Sequence, residues 1–577
     1  MRVNQKKSFF AGWITLGILL AGGVAVLYAV AIWFGALNQD EGWYLYAGRL
    51  VHEGRHPFRD FASTQGPVMA YLYSLAWPLV RVAGVAGGRL FTALLGALTI
   101  AITAWLAYRL AADAEKADDN PAHPGGAVAA LLAAGLLGLN LYHVYFTSLV
   151  KTYGAAGLLT ALGFCGLAGA LRAARHAGRA KRTFLLAALA AAAFGIAAGT
   201  RLSAGILLPA VWLPLAFACW RADAAARRRQ LPLLTGMLTG GTLALAAVYG
   251  PFLLSAPDAL VFGLLDYHAA REVGSTPVLL AYKAGFLLRL CTFHFPLLVI
   301  GALGLAGWLH QRGHGRATPP PPPAPSLPLL MGCGLMAVTL VHLAAPFPYD
   351  DYQVFIMPCA VLLAVPPAAR LLRCLPLTAS GRLAVVAGTL LLMLAHSLSS
   401  PLLQTWLVDG RNRIWWPLKS RTALQGLREA ASAVRALGGE GGRKALLTQD
   451  TYLAVETGWH VPDGMELGPF CFFPGLGDEE AARLHVLNET GYLDRITNGG
   501  ADVAAFSDWG LAIRSPGIVP VETDRMRRLE QALQARYSPV TRIEGFGQGE
   551  TPLRLMTRNP ARGGTAASPS DRRNPSP

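Results

Sequence analysis

Two adjacent carboxylates, Asp40 and Glu41, follow the first long apolar run of the chain. Carboxylates at the edge of a membrane are costly to desolvate, so they more often have a function than not. One of them can act as a general base that takes a proton from an attacking hydroxyl. The alternative is a structural role, because acidic residues favour the positive N-terminal end of a helix. The sequence leaves both roles open.

Three cations stand at predicted outer ends of membrane spans, the side that positive charge normally avoids. They are Lys151, Arg201 and Arg271. Three cations on one membrane face indicate a bound anion, although each side chain can also reach a lipid phosphate by itself. His268 stands close to Arg271, where it can bridge to the anion or donate a proton, or can have only a structural role.

Two predicted outer segments are rich in aromatic residues. Tyrosine and tryptophan at this level usually anchor a protein in the membrane interface. The functional alternatives are stacking on sugar rings in the first segment and lining an acceptor path in the second. The residues concerned are Tyr71, Tyr73, Trp77, Tyr349, Asp350, Asp351 and Tyr352.

The composition indicates the class of protein. The chain has 577 residues, of which 53% are hydrophobic and 15% charged, and its mean hydropathy is +0.39. It is too apolar for an ordinary soluble protein and long enough for about ten membrane spans plus another domain. Its net charge of +16 comes from basic residues in short loops between apolar runs. This is the distribution that sets the orientation of a protein in a membrane, and it argues against nucleic acid as a partner.

Apolar segments predict the elements that position the charged residues. Lys6 and Lys7 place the N-terminus in the cytoplasm, and the run that follows them is too long for a cleaved signal peptide. If 66–83 is a helix that lies in the outer leaflet without crossing, the basic loops 172–182 and 221–229 both face inward, as the positive-inside rule requires. About eleven spans result. They lie near 9–34, 89–110, 126–142, 153–171, 184–200, 202–220, 231–254, 295–310, 327–345, 353–371 and 383–400.

The fold class predicted is a polytopic α-helical membrane protein with a small C-terminal α/β external domain. Residues 1–400 form the membrane domain, whose external loop 35–88 carries the acidic pair. Residues 401–558 form the external domain, because helical periodicity at 422–439 and 524–537 precedes a strand pair at 540–558. The tail 559–577 lacks apolar residues and is predicted to be disordered. The proline-rich stretch 319–325 predicts an inward-facing linker.

In these features the chain resembles the GT-C superfamily of polyprenyl-phosphate-sugar-dependent glycosyltransferases, particularly protein O-mannosyltransferases (family 39) and the aminoarabinose transferases of lipid A. The resemblance rests on the Asp40-Glu41 pair with aromatics after it, on Gly54, on the Pro-containing segment at 66–67 before an outer-leaflet helix, and on Arg89-Leu90. One departure is that Gln65-Gly66-Pro67 stands where relatives have Lys-Pro-Pro or His-Pro-Pro.

The resemblance implies transfer of a sugar from a polyprenyl-phosphate donor to a hydroxyl of a lipid, glycan or protein, with inversion at the anomeric carbon. Asp40 would be the base and Glu41 would orient it or bind the acceptor. A metal is not required, although a divalent cation bound by the two carboxylates is possible. The protein would lie in a bacterial inner membrane among membrane lipids, with its C-terminal domain in the periplasm. The predicted donor-phosphate site is Lys151, Arg201, Arg271 and His268, and the predicted substrate contacts are Asp60, Gln65, Tyr71, Arg89, Tyr349 and Tyr352.

Two other functions compete with this one. A flippase for lipid-linked glycans should carry charge in the middle of its spans, where this chain has mainly Ala, Leu, Val and Gly. A non-catalytic envelope assembly protein would not need acidic and basic groups gathered on one membrane face.

The topology can be tested with reporter fusions. A reporter after Ala177 or Arg228 should be cytoplasmic and one after Gly442 external, because of the basic loops and the odd number of spans. An external signal after Ala177 would contradict the outer-leaflet placement of 66–83.

Overall fold

The computed structural model describes residues 2–116, 125–176, 178–270, 275–313, 325–400, 419–438, 444–514 and 519–560. Within these ranges, 10 helices are long and apolar enough to cross a membrane. They include every predicted span except 126–142 and 295–310, whose apolar helices are shorter. The chain is therefore a multi-pass membrane protein.

The membrane part is built from helices joined by short connections. In chain order they are α1 (Arg2–Phe34), α2 (Gln39–His52), α3 (Val68–Ala83), α4 (Val85–Lys116), α5 (Gly125–Gly138), α6 (Leu141–Phe146), α7 (Tyr153–Ala174), α8 (Ala180–Thr200), α9 (Leu207–Arg221), α10 (Ala224–Ser255), α11 (Pro257–Val261), α12 (Tyr267–Ala269), α13 (Thr276–Phe293), α14 (Phe295–Gly313), α15 (Leu327–Ala344), α16 (Met357–Cys374) and α17 (Ala379–Leu398). Short 3₁₀ segments, Leu202–Ile206 and Asp350–Ile356, precede α9 and α16.

Helix α3 is the predicted outer-leaflet helix. It has 16 residues, so it is about 24 Å long, shorter than the roughly 30 Å hydrocarbon core. Tyr73 and Val80 are buried on one face, while Leu75 and Val82 are 74% and 84% exposed on the other. The helix is thus amphipathic and suited to lie along a membrane face, and the sidedness of the chain stays a prediction.

The segment 255–294, which the predicted spans leave as a loop, is instead mostly helical. Helix α13 has 18 residues with a mean hydropathy of 1.2, and 6% of it is buried. Arg289 forms an ion pair with Asp350 at 2.8 Å, and the ring of Tyr282 packs edge-on against Phe347 at 5.6 Å. Both partners belong to the turn between α15 and α16, so α13 runs along the face that holds this turn.

The C-terminal part is a small α/β unit, as predicted. Its strands are β1 (Leu446–Leu447), β2 (Val503–Ser507), β3 (Ile513–Arg514), β4 (Val519–Pro520), β5 (Tyr537–Phe546) and β6 (Thr551–Arg558). Its helices are α18 (Ala423–Leu437), α19 (Thr451–Thr457), α20 (Asp478–Arg483), α21 (Glu489–Asn498), α22 (Asp508–Ala512) and α23 (Thr523–Arg536). Four of the strands form a sheet in the order β1-β2-β6-β5, with β1 parallel to β2 and the other pairs antiparallel. The predicted strand pair is confirmed as β5 and β6, and the predicted helices as α18 and α23.

The C-terminal unit shares its hydrophobic core with the first external segment. One buried cluster contains Tyr44 of α2 and Tyr73 of α3 together with Leu427 and Phe506 of the C-terminal unit. Gly42 makes this packing possible, because a Cβ atom there would overlap the backbone of Tyr452 in α19. Residues 35–88 are therefore a layer between the membrane helices and the C-terminal unit, a layer the sequence did not predict.

Candidate active site

The first turn of α2 presents the acidic pair. Asn38 is the N-cap, since its side chain accepts a hydrogen bond from the backbone N–H of Asp40, and Glu41 completes a capping box by accepting from the N–H of Asn38. Asn38, and not Asp40, is therefore the N-cap, but Asp40 and Glu41 both lie in the first turn of α2, where the helix dipole favours negative charge, and Glu41 also has the capping-box role. The Asp40 carboxylate also accepts from Trp43 Nε1 at 3.3 Å.

Glu41 and Arg89 form an ion pair in which both side chains are fully buried. Arg89 Nη2 and Nε donate to the two Glu41 oxygens at 2.6 and 2.7 Å. The remaining Arg89 donors reach the carbonyls of Ile32, in the last turn of α1, and of Gly35 and Ala36, just after it. Those carbonyls lack helical partners, so Arg89 fastens the end of α1 to the start of α2.

Lys151 lies between two carboxylates. Its Nζ is 3.1 Å from Asp40 Oδ2 and 2.9 Å from Asp351 Oδ2. Burial lowers the pKa of Lys151, but the charges of Asp351 and Asp40 outweigh it and hold that pKa well above its usual value. Lys151 is therefore protonated and already neutralised, and it orients Asp40.

Arg201 is a buried cation of a different kind. Its Nη1 donates two long hydrogen bonds within the described part of the chain, each 3.4 Å, to Thr152 Oγ1 and the Tyr153 hydroxyl. The guanidinium lies 4.2 Å from the ring centroid of Tyr352, and its buried Nε has no hydrogen-bond partner among the residues that the structure describes. No carboxylate in the described ranges forms an ion pair with it, so its charge is available to an anion.

A cavity of about 510 Å³ brings most of these groups together. The predicted residues that border it are Asp40, Gln65, Lys151, Arg201, His268, Tyr349 and Tyr352, along with Asp350 and Asp351. His268 Nε2 lies 3.1 Å from the carbonyl oxygen of Thr64, which fixes its ring at the cavity wall.

Four predicted site residues do not border this cavity. Glu41 and Arg89 are fully buried and do not border the cavity. They therefore do not contact a substrate there, and their role is to position the elements around them. Asp60 pairs with Arg59 at 2.9 Å and Tyr71 hydrogen-bonds His56 at 2.7 Å, both away from the cavity. Arg271 lies outside the described residues, as do parts of the predicted linker and tail.

The acidic pair does not fit a shared divalent cation. Both Glu41 oxygens are occupied by Arg89, and the backbone N–H of Asn38 and of Val150 also donate to them, at 3.0 and 3.3 Å. Asp40 faces Lys151 instead. Any cation would have to be held by other ligands.

The C-terminal unit supplies part of the cavity wall. Phe470, Trp509 and Gln548 border the cavity, and the Gln548 side chain accepts from the backbone N–H of Gln39 at 2.8 Å. Trp43 and Tyr44 also border it, with ring centroids 3.8 Å apart. Tyr71, Tyr73 and Trp77, for which stacking on sugar rings was considered, do not border this cavity. Of the additional wall residues, only Trp43 and Tyr44 could have been found from the sequence, because they follow Asp40 closely along the chain.

A second cavity, of about 450 Å³, adjoins the first. The two share Gln65, Arg201, His268 and Tyr352. The rest of the second cavity is mainly apolar, and its walls include Leu202, Ile206, Leu264, Val341, Ala345 and Phe347. Arg201 therefore stands where a polar chamber meets an apolar one.

The chain is similar in fold to ArnT from Cupriavidus metallidurans, which confirms the predicted polytopic helical membrane fold with a small C-terminal α/β unit. The apo structure of ArnT aligns with a TM-score of 0.58 and 15% identity over 95% of this chain and 98% of ArnT. The structure of ArnT bound to undecaprenyl phosphate aligns at 0.57 and 14% identity over 94% and 98%. The Archaeoglobus fulgidus oligosaccharyltransferase aligns at 0.44 and 11% identity over 90% and 73%. No family model and no curated protein sequence matches the chain.

The contribution of the buried Glu41–Arg89 pair to stability can be tested by Glu41→Gln. The substitution leaves Arg89 buried without its counter-charge, so the free energy of unfolding should fall by about 3–5 kcal/mol. Thermal or denaturant unfolding of the purified protein measures the change. The control is Glu429→Gln, which breaks a more exposed pair with Arg421 and should cost about 0–1 kcal/mol. Equal effects of the two substitutions would contradict the role of the buried pair.

Proposed function

We propose that the chain is a membrane glycosyltransferase that moves a sugar from a polyprenyl-phosphate donor to an acceptor hydroxyl. The observation that carries the proposal is Arg201, a buried cation without a carboxylate partner among the described residues. It stands at the junction of a polar and an apolar cavity. A ligand that suits this junction has a phosphate, a hydrocarbon chain on one side and a polar group on the other.

Each part of such a donor has a matching surface. The apolar cavity takes the first prenyl units, since burial of apolar surface favours a hydrocarbon there. Arg201 takes the phosphate through charge-assisted hydrogen bonds. The sugar then lies in the polar cavity, bordered by Trp43 and Tyr44. The ArnT structure of the same fold holds undecaprenyl phosphate, which supports a lipid phosphate as the ligand.

The transfer is a single displacement. The acceptor oxygen attacks the anomeric carbon while Asp40 takes its proton, and the bond from that carbon to the phosphate oxygen breaks. The electron pair leaves with the lipid phosphate, whose new charge Arg201 stabilises. Attack opposite to the leaving group inverts the anomeric carbon.

Lys151 links the two events electrostatically. In the structure its charge is compensated by Asp40 and Asp351. When Asp40 accepts the proton it becomes neutral, so part of the Lys151 charge is no longer compensated. This uncompensated charge arises at the moment the phosphate leaves. Lys151 then attracts the departing phosphate together with Arg201.

The base is tested by Asp40→Asn. The helix cap is unaffected, because Asn38 provides it, so the protein should fold normally. Turnover should fall by about 100-fold to 10,000-fold with donor binding nearly intact. Consumption of labelled polyprenyl-phosphate sugars, offered as a panel to the purified protein, measures turnover. Asp60→Asn is the control outside the cavity and should keep turnover. Wild-type turnover in Asp40→Asn would defeat the assignment of the base.

The phosphate site is tested by Arg201→Gln, with undecaprenyl phosphate as the probe. Loss of one charge-assisted hydrogen bond should weaken binding by about 10-fold to 150-fold. Titration of the purified protein measures affinity, and Arg59→Gln, an exposed arginine away from the cavity, should bind normally. If both variants bind as tightly as wild type, Arg201 is not the phosphate ligand.

A further inference from the structure

A third cavity, of about 590 Å³, lies at the other ends of the helices that frame the candidate active site. Helix α7 begins at Tyr153, beside Arg201, and Arg172 in its last turn and Arg175 just after it border this cavity. The 22 residues of α7 span about 33 Å. The third cavity is therefore a separate chamber at the opposite face of the helix bundle.

The chamber is amphipathic. Part of its wall is apolar, from residues of α4, α7, α15 and α16 that include Leu110, Leu171, Leu327, Leu362, Leu363 and Pro366. The remaining part is basic, with Arg172, Arg175, Arg229 and Arg370. A cavity with these two surfaces fits a ligand that has an anionic group and a hydrocarbon part.

The basic part has an excess of positive charge. Asp113 is the one acidic residue that borders the cavity in the described ranges, and it is paired with Arg172 at 2.6 Å. Arg175 and Arg229 have no carboxylate partner in the parts of the chain that the structure describes. Basic residues at this face also follow from the positive-inside rule, so the arginines by themselves do not establish a site.

Gln230 is the independent observation. The residue borders the cavity and is 3% exposed, and neither its amide nitrogen nor its amide oxygen has a hydrogen-bond partner within the described residues. Membrane orientation does not require a buried amide. A buried polar group without a partner is costly, and a phosphate oxygen in the cavity would accept a hydrogen bond from the Gln230 amide nitrogen.

We propose that this chamber binds the phosphate group of an amphipathic ligand, held by Arg175, Arg229 and Gln230, with its hydrocarbon part on the apolar wall. The shared chemistry is an anionic phosphate. Its source is either a lipid headgroup of the adjacent leaflet or a soluble phosphate compound. The proposal does not depend on the transferase activity, because the two sites lie at opposite ends of the bundle.

The test uses the full-length protein in detergent and compares three additions. They are short-chain phosphatidic acid, the zwitterionic phosphatidylcholine of the same chain length, and inorganic phosphate. Binding is followed by native mass spectrometry and by the rise in melting temperature. The variants are Arg175→Gln/Arg229→Gln and Gln230→Leu, and the matched control is Arg228→Gln, an exposed neighbour that does not border the cavity.

Phosphatidic acid should stabilise the wild type and Arg228→Gln equally, and it should bind the double variant at least about tenfold more weakly. Gln230→Leu should melt at a higher temperature without ligand, because an unpaired amide is removed, yet gain less from the lipid. Protection by phosphatidic acid alone identifies a membrane lipid as the source, and protection by inorganic phosphate identifies a soluble compound. Equal shifts in all variants, or equal shifts with phosphatidylcholine, would overturn the proposal.

Discussion

The buried ion pair between Glu41 and Arg89 is the interaction on which the candidate active site depends. Arg89, near the start of α4, joins this helix to the end of α1 and the start of α2. Glu41 in turn accepts from the backbone N–H of Val150, the residue before Lys151. One pair of charges therefore sets the positions of both Asp40 and Lys151. Because both charges are buried, loss of either one would leave the other without a counter-charge, which is strongly destabilising.

The C-terminal unit holds α2 from the other side. Gln39 donates to Asp450 at 3.1 Å, and Arg49 donates to the carbonyl of Trp459 at 2.7 Å. Burial raises the pKa of Asp450, whose carboxylate also accepts from Ser507 and Tyr452. Helix α2 is therefore fixed on two sides, and Asp40 projects from a rigid element. This explains why a domain far away in sequence takes part in the site.

The two cations of the site differ in how their charge is used. Lys151 is compensated by two carboxylates, whereas Arg201 faces aromatic rings, which attract a guanidinium more weakly than a carboxylate does. A phosphate in the cavity would therefore pair with Arg201, because Lys151 is already paired with carboxylates.

The Tyr44 hydroxyl at the cavity wall stays protonated. Its pKa is raised well above the usual value, mainly by burial and also by the nearby charge of Asp40. The phenol therefore remains a hydrogen-bond donor.

The sequence by itself determined the membrane class and most of the helices, because long apolar runs can satisfy their backbone in a membrane only as helices. It also identified Asp40, Lys151 and Arg201, since charges at the ends of apolar runs are conspicuous. The tertiary structure decided the division of roles between Asp40 and Glu41. Successive residues on a helix point about 100° apart, so one carboxylate faces the cavity and its neighbour faces Arg89. Only the tertiary structure could place Trp509 and Gln548 at the same cavity, because local sequence patterns contain no information on contacts between segments more than 400 residues apart.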